Sequence, residues 1–535
     1  MEKSELEQMR VLFRVAFFLA KSGRPFTDFP GQIKLLAVNN VPVSETYAND
    51  KQARIFTDYI YESKRVEMIK EMSESEFFAI LSDGSTDTSI TDEEIVYVKY
   101  IKNGRPTYRF VTFKPLVKAD APSITAALQS TMEENLERKT WKNDLVAASF
   151  DGANVMMGSK SGVATRLKED VPHLVVVHCF AHRLELAVKD VLKQMPYLTV
   201  VHEFLQKVYL FYKYSPLNWA AFKNAGEALC ISVVRPVNVS GTRWVPHHER
   251  GVQALLRNYK VHIAHIEDVR IHGGKESKDK AVYFLKMLKS VKFVMFCKFL
   301  QIYFRMISVL SKCLQDNEVT VERVRNMAES VKKLMVQYKD EDKLKGCMME
   351  GISTNADGKL VYEGILLQEG PGRPQRNVDN HTQSKQQEAI KESKKAIELT
   401  VQCIDNRFQD LVENEILKST VIFDPAMWPT ETEALEVYGD DEVKCLYSHF
   451  KQILEYRGCN EIDTLIEWTA LKKIVRKIEQ TEGQSLKYLD IWQRVMLVFG
   501  DNYKCILMLV KIVLLIPCST AVCERGFSLM SVIKK

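Results

Sequence analysis

Residues 145–188, LVAASFDGANVMMGSKSGVATRLKEDVPHLVVVHCFAHRLELAV, constrain the fold more than any other stretch of the chain. An apolar run of strand type, Leu145–Phe150, ends on Asp151-Gly152, and a small, turn-prone segment follows. A second apolar run, Leu174–Val177, leads into His178-Cys179-Phe180-Ala181-His182 and a helical pattern. Two short buried strands with a helical connection between them read as a crossover unit of a sheet. A carboxylate placed just past a buried strand, at a glycine turn, is held rigidly while its oxygens stay reachable. Asp151 occupies that position.

The residues before this stretch supply the rest of a sheet. Phe77–Leu81 is a short apolar run ending at Ser82-Asp83-Gly84, which places a second carboxylate at a strand end. Glu94–Lys102 and Thr107–Lys114 alternate in polarity and are joined by Asn103-Gly104, a strong hairpin signal. Ile124, Leu128, Met132 and Leu136 then recur at helical spacing. The order β, β, β, α, β, α, β, α predicts an antiparallel meander followed by crossover strands. Residues 1–75 read as helical, with Ser22-Gly23-Arg24-Pro25 ending the first helix and Phe26, Phe29 and Pro30 forming an apolar turn. From about 195 to 350 the pattern is helical and rich in Phe, Tyr, Leu and Lys. Residues 351–383 carry Gly, Pro and polar residues and read as a long loop with a small hairpin. Two apolar helices are expected around Ile516-Pro517-Cys518-Ser519-Thr520.

Length and composition set the outer bounds. At 535 residues, 46% hydrophobic and 27% charged, the chain is an ordinary globular protein of several domains. A net charge of +5 permits a nucleic-acid partner without requiring one. The 11 cysteines are scattered and odd in number, which favours a reducing compartment over a disulfide scaffold. The apolar stretch Cys505–Cys518 is broken by Lys511 and too short to span a bilayer, so it reads as a buried helix, and no membrane partner is expected.

Four constellations carry chemistry. Asp83 and Asp151 each follow a buried strand and precede glycine. Two carboxylates at adjacent strand ends repel unless a cation lies between them, and hard divalent ions prefer such oxygen ligands. Strand-end Asp-Gly is also ordinary turn chemistry. Cys179 and His182 have the spacing of half a zinc site, but packing or local hydrogen bonding explains them at least as well. Arg243 and Trp244, in Gly241-Thr242-Arg243-Trp244, suit base stacking and phosphate binding, although Trp in a helical domain is usually core. Glu524, in Cys523-Glu524-Arg525-Gly526-Phe527, sits on a helical pattern and reads locally as a surface residue beside Arg525.

Taken together, LSDGSTDTS, SFDGANVM, HCFAHRLELAVKD, GTRW and LLIPCSTAVCERGFSLM resemble, in order, the motifs of the hAT superfamily of DNA transposases and of the hAT-derived proteins of animal genomes. The resemblance covers nearly the whole chain. It implies an α/β, RNase H-like mixed sheet interrupted by a large all-helical insertion domain, with a helical N-terminal region. The implied division is a helical region at 1–75, the first part of the RNase H-like core at 76–245, the helical insertion at 246–480, and a C-terminal dimerisation segment at 481–535 that completes the core. It also implies that Asp83, Asp151 and Glu524 are catalytic and bind Mg²⁺ or Mn²⁺, with no zinc. Arg243 and Trp244 would contact DNA, Trp244 stacking on a flipped base, and Cys179 and His182 would support the site.

Family members usually begin with a zinc-binding DNA module and continue past Ser531-Val532-Ile533-Lys534-Lys535, so both ends of this sequence read as shortened. The expected function is that of a domesticated, nuclear hAT-like protein. It would bind DNA and form homo-oligomers through the C-terminal segment without transposing. The alternative is an active or partial transposase performing metal-dependent DNA cleavage and strand transfer.

Overall fold

The structure, a computed structural model, describes residues 3–44, 46–86, 92–240, 244–369, 384–482 and 486–533. It divides into two compact units, Met1–Cys179 with Glu415–Lys535, and Phe180–Asn414.

The first unit is built on a mixed five-stranded sheet. Its strands are β1 (Phe78–Thr86), β2 (Asp92–Lys102), β3 (Arg105–Leu116), β4 (Leu145–Phe150) and β5 (Val175–His178). The spatial order is β3-β2-β1-β4-β5. β1, β2 and β3 pair antiparallel, while β4 pairs parallel to β1 and β5 parallel to β4. This is the meander and crossover arrangement expected from the sequence. The β2–β3 turn is made by Asn103 (φ 49°) and Gly104 (φ 73°), the two left-handed residues that a tight hairpin matching the strand twist requires. β4 is buried along its whole length, as a central strand covered on both faces must be.

The two faces of the sheet bury different partners. Phe78, Ile80, Val96, Val98, Tyr100, Ala148 and Phe150 share a core with the Ala121–Ser130 and Val163–Asp170 helices and with Met68 and Met72. The opposite face receives the Lys504–Leu515 helix, which packs on β1, β2 and β4, and the Ala521–Ile533 helix, which packs on β1 and β2. Every residue of Cys505–Val510 and Ile512–Leu515 is buried, so this apolar run is a core helix, as expected. A fully buried Leu or Ile contributes about 1.5–3 kcal/mol, so such a helix anchors firmly. The hairpin tip is fastened to the Tyr488–Phe499 helix. Arg105 pairs with Asp490 and donates from Nε to Gln493 Oε1 at 2.6 Å, and the Asn103 carbonyl accepts from Gln493 Nε2 at 2.9 Å.

At the N-terminal end, helices Lys3–Lys21 and Asp50–Ser73 pack around Leu12, Ala16, Leu19 and Phe56. The segment read as an apolar turn at Phe29-Pro30 is instead the start of a helix, Phe29–Val38. Proline in a first turn lacks only an N–H that has no intrahelical partner anyway.

Among its described residues the second unit is mainly helical, with a small three-stranded sheet at 352–366, and the rest of the expected long loop, 370–383, lies outside the described residues. Its centre is the Val291–Leu314 helix, packed by the Trp244–Arg257 and Lys385–Arg407 helices. Among the described residues this is the one helix long and apolar enough to cross a membrane, but 72% of its apolar window is buried inside the unit. It is a core helix here, with Tyr303 Oη bonded to Thr400 Oγ1 at 2.6 Å.

Candidate carboxylate centre

Strand register places Asp83 and Asp151 side by side. Leu81 pairs with Ser149 across the parallel β1–β4 ladder, and each aspartate lies two residues further along its strand direction. Side chains two apart share a face. Asp83 pairs with Ile95 and shares the face of Leu81 and Ile95, against which Val522 and Cys523 of the Ala521–Ile533 helix are packed. Glu524 lies in the first turn of that helix.

Close packing fixes each of the three positions. Asp151 Oδ1 accepts the Ala153 N–H at 3.2 Å, which shapes the turn after β4. A Cβ on Gly152 would lie 2.4 Å from the His178 ring, so only glycine fits beside β5. A Cβ on Gly526 would lie 2.3 Å from Ile95 Cδ1 and 2.9 Å from Tyr97 Oη. The helix carrying Glu524 therefore packs on β2 too closely for a side chain at position 526 without movement of its neighbours. Phe527 adds a ring contact with Phe113, 5.9 Å between centroids.

The electrostatics follow from this packing. Burial pushes the Asp83 carboxyl up to about 8, and the charges of Asp151, Glu94 and Glu524 push it the same way, against a backbone hydrogen bond from Gly84. Asp83 is thus the residue at which Asp151 and Glu524 are both felt. Glu94, 1% exposed, is raised to about 7 by burial and by Asp151, opposed by a hydrogen bond from Ser82. The Cys523 thiol, also buried, is raised well above its ordinary range by burial first and then by Asp83, Glu94, Cys179 and Glu524. Crowding carboxylates into a buried site is costly for their charged forms. Among the described residues no three His, Cys, Asp or Glu side chains converge closely enough to form a ready ligand set. Drawing the carboxylates together around one ion therefore requires side-chain movement.

Residues 469–535 match the hAT family C-terminal dimerisation region. The chain carries a hAT transposase-related dimerisation region. The matched region holds Glu524, the Ile516–Thr520 linker and the three helices from Tyr488 to Ile533. Dimerisation is therefore part of what this hAT-related chain is equipped to do. Leu497, Val498 and Leu529 are large apolar residues left exposed within it.

The remaining motif residues lie beside this centre, in the second unit or outside the described residues. Cys179 follows β5, is fully buried, and its Sγ accepts the Thr520 N–H at 3.2 Å, with Ser519 Oγ at 3.8 Å. Cys179 thus holds the linker that leads to Glu524. His182 is half-buried on the Phe180–Gln194 helix and belongs to the second unit, whereas Cys179 belongs to the first. Arg243 lies outside the described residues, as do Gly241 and Thr242.

Trp244 begins the Trp244–Arg257 helix of the second unit, where its N–H donates to Glu185 Oε2 at 2.9 Å. Its ring is 5% exposed and stacks on His248 at 3.5 Å between centroids. His248 Nδ1 donates to the Trp244 carbonyl at 2.8 Å, which leaves Nε2 to accept from His202 Nδ1 at 2.7 Å. Burial lowers His248 to about 3, in keeping with that neutral tautomer. Base stacking by Trp244 requires the ring to leave the His248 stack.

Two buried charged residues, Glu94 and Lys99, were not singled out by the sequence motifs. Their signal is a charge within an otherwise strongly apolar strand, EIVYVKYIK, whose two faces are both covered.

Proposed function

We propose that this hAT transposase-related chain is a nuclear, DNA-binding, dimerising protein in which Asp83, Asp151 and Glu524 form a divalent-cation centre. The observation that carries the reading is the β1–β4 register, which sets Asp83 and Asp151 at neighbouring strand ends, with Asp151, Glu94 and Glu524 near enough for their charges to push the buried Asp83 carboxyl up. Carboxylates crowded in a buried site are hard to ionise, and a hard cation would stabilise their charged forms. The donor set is all oxygen, which suits Mg²⁺ or Mn²⁺ and not zinc. The sheet order, an antiparallel meander joined to two parallel crossover strands, supports an RNase H-like core. The long helical segment between Cys179 and Glu415 supports an insertion into it.

A second reading, metal-dependent cleavage and joining of DNA, is supported by the same pairing of strand-end aspartates beside the helix that bears Glu524. When bound, the cation neutralises charge on a phosphodiester and activates the attacking oxygen. The protein supplies the frame. Asp83 and Asp151 are held at neighbouring strand ends. Glu524 is held by the contact of Gly526 with Ile95. No side chain need form a covalent intermediate. Arg243 and Trp244 remain proposed DNA contacts, the latter on release from His248.

The test incubates the full chain with duplex DNA and Mg²⁺ or Mn²⁺, beside Asp83→Asn. Cleavage lost in Asp83→Asn establishes the enzymatic reading. DNA binding and dimerisation without cleavage, in wild type and variant alike, establish the domesticated one.

A further inference from the structure

Lys99 is a charged residue in the wrong place for a solvated one. It lies on β2, paired with Ala79 of β1, and is 2% exposed. It shares the sheet face of Ile95 and Tyr97, on which the Lys504–Leu515 and Ala521–Ile533 helices pack. A buried ammonium is expensive unless its protons are satisfied. Lys99 Nζ donates to the Ile516 carbonyl at 3.2 Å and lies 5.3 Å from the centre of the Tyr108 ring.

Ile516 is the residue that closes the Lys504–Leu515 helix. The last carbonyls of a helix have no intrahelical partner and carry partial negative charge. A cation at that end satisfies both demands. The next residue, Pro517, has no N–H to give, and the linker runs without helical hydrogen bonds to Ala521. The linker is nonetheless buried throughout. Its backbone therefore depends on partners from elsewhere. Lys99 fastens its beginning at Ile516, and Cys179 fastens its end at Thr520. Glu524 follows one turn later.

We propose that Lys99 is a positioning residue: by holding the Ile516 carbonyl it sets where the Ala521–Ile533 helix starts and hence where Glu524 stands relative to Asp83. The inference rests on Glu524 as the third carboxylate of the centre, and Lys99 acts on it through the linker without touching the cation or DNA.

The test compares full-length wild type, Lys99→Met and Lys99→Arg by hydrogen–deuterium exchange and by Mn²⁺ binding. Methionine keeps a similar length and volume without the donor, and arginine keeps a cationic donor. In Lys99→Met, amides of 518–525 are expected to exchange at least tenfold faster while β1, β2 and β4 stay protected. Mn²⁺ is expected to bind at least threefold more weakly. Lys99→Arg should restore both toward wild type. Unchanged exchange at 518–525, or loss of protection spread evenly through the sheet, overturns the proposal. If Lys99→Met does not fold, Lys99→Gln is read by the same criteria. Should wild type bind no Mn²⁺, the cation reading fails by itself, and the exchange comparison still decides the role of Lys99.

Discussion

Asp83 and Asp151 each stand two residues beyond the paired Leu81 and Ser149 on parallel neighbouring strands, so their carboxylates share one end and one face of the sheet. The helix bearing Glu524 is docked on that face by Val522, Cys523 and Gly526. Several measurable properties follow from crowding acids there.

The stabilising contribution of Asp83 and Glu94 should fall as pH rises. Asp83, held up to about 8, and Glu94, held up to about 7, keep protons in the folded chain that the unfolded chain has released above about pH 4. These two groups bind more protons in the folded chain across that window, whereas His173, His248 and His262, lowered by burial to about 4, 3 and 3, bind fewer up to about pH 6.5. The stabilisation from the two carboxyls is complete below the unfolded values, is lost as pH rises through about 8, and changes little beyond. Because the histidine contribution is common to both proteins, thermal unfolding in a chelator should show the Tm of wild type falling relative to that of Asp83→Asn between pH 5 and 8. At pH 8 the Tm of Asp83→Asn should exceed that of wild type by about 2 °C or more.

Gly526→Ala should separate the Glu524 helix from the sheet. The added Cβ meets Ile95, itself fully buried, at 2.3 Å, and one of the two must move. Overpacking of this kind costs about 1–3 kcal/mol. Denaturant titration should show that loss, together with weaker Mn²⁺ binding. A variant as stable and as metal-competent as wild type would mean that the contact does not hold Glu524 in place.

Trp244→Ala should act first on stability. The ring is 5% exposed and lies on His248, and removing a buried Trp costs about 3–5 kcal/mol. Trp244→Phe should recover much of this. DNA affinity measured on the phenylalanine variant then separates base stacking from core packing, since only the former lowers affinity in a chain that remains folded.

The sheet was largely legible in the sequence because its cues are local. Alternation, the Asn103-Gly104 turn and strand-end Asp-Gly pairs each depend on a few adjacent residues. The Phe29–Val38 helix escaped because Pro30 reads as a breaker, although in a first turn it costs nothing. Glu94 and Lys99 escaped for a different reason. β2 is covered on both faces, so alternation cannot say which of its charges is buried. Trp244 is ambiguous in sequence, since one aromatic serves a core or a ligand equally well. Glu524 is the extreme case. Locally it is an acid beside Arg525, and its approach to Asp83 depends on a helix docking across the chain onto Ile95, which no nearby residue records.

The most direct measurement of the cation centre is Mn²⁺ binding to the full chain at pH 8, followed by electron paramagnetic resonance of the free ion, for wild type and Asp151→Asn. Asp151→Asn removes a charge felt by both Asp83 and Glu94 while nearly preserving side-chain shape. Saturable Mn²⁺ binding by wild type, weakened at least tenfold in Asp151→Asn with the fold retained, is the predicted result. Binding that is absent from wild type, or equal in the two proteins, would contradict a cation centre at Asp83, Asp151 and Glu524.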